Sequence, residues 1–121
     1  MFASKPAADL AAMSASLRYV HDAPGDDPVA GFLLSETLCL LTRALERRED
    51  DFRRLPGHRD DAIGRCQGLR IHTETLRLSF TGSSSAEQKR RDLARLIDRL
   101  DRNIRKIDPR RQVRKPDMIH A

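Results

Sequence analysis

The chain has no tryptophan, one tyrosine and four phenylalanines in 121 residues. With β-branched side chains also scarce, there is too little strand-forming material for a sheet core, so the apolar 39% must pack as leucine, isoleucine and alanine on helices. Only two cysteines are present, Cys39 and Cys66, and they lack the close spacing of a zinc or thioredoxin-like motif. In a reducing compartment they read as buried packing thiols. No stretch approaches the roughly 20 apolar residues of a membrane span. Residues 1–8 hold one lysine and no apolar run of signal-peptide length, so the expectation is a cytoplasmic protein with no membrane partner.

Signatures of catalysis are missing as well. There is no Gly-rich phosphate loop, no nucleophile elbow and no pair of histidines one helical turn apart. His21, His58, His72 and His120 are scattered, none three or four residues from another histidine or a cysteine, which argues against zinc. Helices this charged, at 34% Asp, Glu, Lys and Arg, leave little volume for a desolvated pocket. The chain reads as a non-catalytic binding protein that calls for no cofactor and no metal.

What is present is helical patterning. The length suits one domain, here residues 1–108, followed by a basic and flexible tail at 109–121 that contains Pro116. From Pro6 to His21, Leu10, Met13, Leu17 and Val20 recur at spacings of three and four, with Ser4 as a candidate cap. Asp27 followed by Pro28 is a strong helix start. The long helix after it keeps Leu34, Leu38, Leu41, Leu45, Phe52 and Leu55 on one stripe. Its second half, Arg47 to Arg54, alternates acids and arginines and reads as an exposed, salt-bridged extension.

Leu55-Pro56-Gly57 ends that helix, and Asp60 or Asp61 can cap the next, with Ile63, Cys66, Leu69, Leu76 and Phe80 at helical spacing. So short a turn implies a helical hairpin of the two longer helices. Gly64 and Gly68 weaken its second arm unless another helix approaches closely there. Ser84 with Glu87, or Ser85 with Gln88, then caps a last helix whose Leu93, Leu96 or Ile97, Leu100, Ile104 and Ile107 form a narrow seam ending at Asp108-Pro109. The expectation is an all-α fold: the hairpin, a shorter N-terminal helix and a basic C-terminal helix. A core this small on helices this long points to a homodimer.

Two features could carry binding. Val29, Phe32, Leu33 and Leu40 make the first half of the long helix apolar on a second side, either as core or as an anchor for a partner or a second subunit. Charge is also uneven: residues 87–121 hold 12 basic and 6 acidic groups, against 8 and 10 in residues 1–60. Arg91, Arg95, Arg99 and Arg102 recur at spacings of four, four and three, a patch that could follow a phosphate backbone. Asp92, Asp98, Asp101 and Asp108 dilute that field, and no aromatic on this helix offers a base to stack on.

The junction of the two longer helices carries a family likeness. Asp50-Asp51-Phe52-Arg53-Arg54-Leu55-Pro56, then Cys66-Gln67-Gly68, Ile71, Thr73 and Leu76, resembles the helical hairpin of the small TraM- and QslA-like quorum-sensing antiactivators, over about a third of the chain. The resemblance implies a protein that binds a LuxR-type transcription activator and blocks its dimerisation or DNA binding, without catalysis. The alternative from composition is a nucleic-acid-associated protein that uses the basic C-terminal helix and tail.

Overall fold

The computed structural model describes residues 9–24, 27–57, 59–79 and 85–109. Four helices make up this part of the chain: α1 (Leu10–Asp22), α2 (Pro28–Arg54), α3 (Asp60–Ser79) and α4 (Ala86–Asn103). There is no strand among the described residues, so the fold is all-α.

Local chemistry explains most of the boundaries. Asp27 accepts from the Val29 amide at 2.9 Å and Pro28 occupies the first turn of α2, where a missing N–H leaves nothing unpaired. Ser85 caps α4 by accepting from the Gln88 amide at 3.0 Å. Between α2 and α3 the chain turns at Gly57, whose φ of 89° lies in the left-handed region that glycine adopts without steric penalty.

Other boundaries differ from expectation. Asp9 caps α1 by accepting from the Ala12 amide at 3.0 Å, and the earlier start at Pro6 with Ser4 falls outside the described residues, as do Phe80, Ser84 and residues 110–121. Asp60 and Asp61 lie inside the first turn of α3 and not before it. There they face the positive end of the helix dipole, and Asp61 pairs with Arg65 at 2.9 Å. The last helix closes at Asn103, and a turn over residues 104–107 carries the seam on to a fully buried Ile107.

The helices pack in a ring, α1 on α2, α2 on α3, α3 on α4 and α4 on α1, while the diagonal pairs stay apart. The centre is mostly leucine: Leu10 and Leu17 from α1, Leu38, Leu41 and Leu45 from α2, Leu69 and Leu76 from α3, Leu96 and Leu100 from α4. Phe52 is the largest enclosed side chain, and Leu55 and Ile63 pack against this cluster from its edge. Burial of such side chains contributes roughly 1.5–3 kcal/mol each, so a core without a large aromatic cluster still holds the ring together. By length and composition alone α2 could cross a membrane, contrary to the expectation from sequence. Ten of its residues are nonetheless buried against the other helices.

The expected exposure of Arg47 to Arg54 does not hold for Arg48 and Glu49, which are 8% and 4% exposed. Tertiary neighbours cover them. An Arg48 guanidinium N–H donates to the Ile107 carbonyl at 3.2 Å, tying the turn after α4 to α2. Arg70 of α3 grips Glu49 with two N–H groups, at 2.7 and 3.4 Å. The rest of the segment behaves as expected, with Arg53 near Glu49 and Asp50 and Arg54 near Asp51 across the surface.

Candidate functional site

At about 100° per residue, the buried stripe of α2 leaves a second flank, and the structure shows what lies on it. Val29, Phe32 and Leu40 are 62%, 69% and 46% exposed, and Leu33 beside them is half-buried. Of the two readings of these residues, filling the core fails for Val29, Phe32 and Leu40. The four fall within three helical turns: Val29, Phe32 and Leu33 lie together at the start of α2, and Leu40 follows about two turns on, past the exposed Glu36. Exposed apolar side chains gathered on one flank of a helix make a candidate contact surface, because transfer of each from water remains available as driving force. Tyr19 on α1 and Ile71 and Leu78 on α3 are also exposed.

The basic candidates on α4 are exposed but largely neutralised. Arg102 pairs with Asp98 at 2.9 Å, while Arg91 lies 3.8 Å from Glu87 and Arg95 3.8 Å from Asp92. Arg99 leans across α3 instead: one N–H approaches Nδ1 of His72 at 3.3 Å, and the guanidinium rests above Gly68. The four arginines therefore do not present an unopposed positive row. Gly68 serves this side-chain crossing, not the close approach of a helix, and Gly64 faces open space.

The residues behind the family likeness divide between packing positions and the surface, where Asp50, Arg53, Arg54 and Pro56 are exposed. Phe52, Cys66, Thr73 and Leu76 are buried, and only Ile71 among the α3 positions points outward. Thr73 satisfies its hydroxyl by donating to the Leu69 carbonyl at 2.7 Å. Burial pushes the Cys66 thiol up to about 12, with Arg48 opposing and Glu49 adding to that shift. A thiol held so far above neutral pH is protonated and unreactive. Both cysteines are free thiols, Cys39 half-buried and Cys66 buried. The His72 imidazole is held below its ordinary value by burial and then by the Arg99 charge, so the neutral ring is favoured.

Two elements of this surface were not legible in sequence. The enclosure of Arg48 and Glu49 depends on Ile107 and Arg70, 59 and 21 positions away. A cluster of Ser14, Arg18 and Asp101 joins α1 to α4: the Ser14 hydroxyl donates to one Asp101 oxygen at 2.6 Å, and Arg18 pairs with the other. Among the described residues no group of three His, Cys, Asp or Glu side chains is placed to hold a metal ion. In comparisons with protein families, characterised proteins and solved structures, the chain matches none.

Proposed function

We propose that this chain is a non-catalytic, cytoplasmic regulator that binds and sequesters a transcription activator of the LuxR type, preventing its dimerisation or DNA binding. The observation that carries the reading is the apolar strip of Val29, Phe32, Leu33 and Leu40, left on the outside of a helix whose opposite side is already packed. An aromatic ring and aliphatic side chains are the anchors that a protein partner buries. The resemblance of the α2–α3 hairpin to antiactivators supplies the class of partner.

In this reading the protein works as a homodimer, with part of the strip covering its counterpart and part taking the activator. Nucleic-acid binding through α4 is the weaker alternative, because Arg91, Arg95 and Arg102 each have a carboxylate of their own helix beside them. A promoter gel shift with a purified LuxR-type activator from the same host tests the proposal. Added protein should release the promoter and elute together with the activator; release without co-elution, with the protein itself on the DNA, would establish the alternative.

A further inference from the structure

A second feature lies on the inner side of the same part of α2. Between the end of α1, the first turns of α2, Arg77 of α3 and the start of α4 runs a groove of about 610 Å³. Its floor is apolar and reaches the core: Val20, Ala30, Leu34, Leu38 and Leu93, the last four of them buried. Among the described residues its rim carries three cations, Arg77, Lys89 and Arg90, and one carboxylate, Asp27, whose oxygen is engaged in capping α2. Arg77 is shared with Glu74 at 2.8 Å, and Arg90 makes one long contact, 3.4 Å, to the Ala23 carbonyl.

The volume falls in the range of small-molecule sites, roughly 300–1,000 Å³. An apolar slot beneath a cationic rim discriminates on two counts. A hydrocarbon chain gains from leaving water only if it fits the floor, and a terminal anion gains only if it stays at the rim, where guanidinium and ammonium groups attract it. We infer that the groove binds a single-chain amphipathic anion, an alkyl carboxylate, with the chain over Ala30, Leu34, Leu38 and Leu93 and the carboxylate among Arg77, Lys89 and Arg90. This inference is independent of the activator-binding proposal, since its floor uses Ala30, Leu34 and Leu38 of α2, none of which belongs to the outer strip.

Titration of the full chain with dodecanoate below its micelle concentration, followed by calorimetry and amide NMR shifts, tests it. One carboxylate per chain should bind, with the largest shifts at Val20, Ala30, Gly31 and Leu93. Burial of a methylene is worth about fourfold in affinity, so decanoate should bind about 15-fold more weakly. Dodecyltrimethylammonium should bind more than tenfold more weakly than dodecanoate, and the double reversal Lys89→Glu with Arg90→Glu should abolish that preference. Ser35→Trp, at an exposed position on the groove wall, should block binding without unfolding the protein. Equal affinity for the ammonium amphiphile, shifts centred elsewhere, absence of saturable binding, or binding only to anionic phospholipid vesicles would each overturn the inference.

Discussion

The two halves of α2 are built from opposite materials and placed in opposite surroundings. The N-terminal half leaves Val29, Phe32 and Leu40 in solvent, while the C-terminal half encloses Arg48 and Glu49. What each half meets accounts for the contrast. The charged half is walled by Arg70 of α3, which holds Glu49, and by the Ile107 carbonyl, which accepts one Arg48 N–H. Among the described residues, no other helix covers Val29, Phe32 and Leu40 on the second flank of the apolar half. Side-chain polarity alone does not set burial here; the tertiary partners do, and each half departs from the usual rule where a partner is supplied or withheld.

The comparison can be broken most severely at its enclosed half. Phe52→Ala should destabilise the protein by about 3–5 kcal/mol in urea unfolding, since it empties the largest side chain of the core. Glu49→Ala should cost about 2 kcal/mol, because it removes the charge-assisted hydrogen bonds that Arg70 makes to an enclosed carboxylate. A loss of less than about 1 kcal/mol in that variant would mean that Glu49 reaches water in solution.

Smaller effects sharpen the same picture. Gly64→Ala should stabilise the protein by about 1 kcal/mol, since a methyl group there meets open space and the helix gains propensity. Cys66 should resist alkylation at pH 8 for as long as the fold persists, as its thiol is both enclosed and held up at about 12; peptide mass mapping would show modification confined to Cys39. The smallest effect concerns His72. Its folded-state value lies below the ordinary 6.5, so the unfolded chain binds the proton more readily. Stability from this group is complete above about pH 6.5 and is lost as pH falls from there toward the folded-state value. Arg99, Arg95 and Asp92 face the ring, and a His72→Gln variant should show a shallower fall in urea midpoint between pH 7 and 5 than the parent protein.

Much of this fold is written locally. Asp27-Pro28 and Ser85 announce their helices because a cap acts within three residues, and the leucine stripes of α2 and α4 show directly which side is buried. What sequence could not supply is long-range. Arg48 and Glu49 look like surface charges until Ile107 and Arg70 are brought to them. The strip of Val29, Phe32, Leu33 and Leu40 was visible as a surplus of apolar positions, but a helical wheel cannot say whether a neighbour covers them. The arginine row on α4 was visible too, and the carboxylates one turn away that offset it were countable; only the structure shows Arg99 turned toward α3.

The central claim is that the outer flank of α2 is dispensable for folding and required for binding. The most direct measurement pairs thermal unfolding with co-elution for a Phe32→Asp, Leu40→Asp variant and a LuxR-type activator's ligand-binding domain. Substitutions at exposed positions typically change stability by no more than about 0.5 kcal/mol each, so the account predicts a melting curve close to that of the parent and loss of the complex. A variant that still co-elutes with the activator, or one that unfolds because those side chains were holding the ring together, would contradict it.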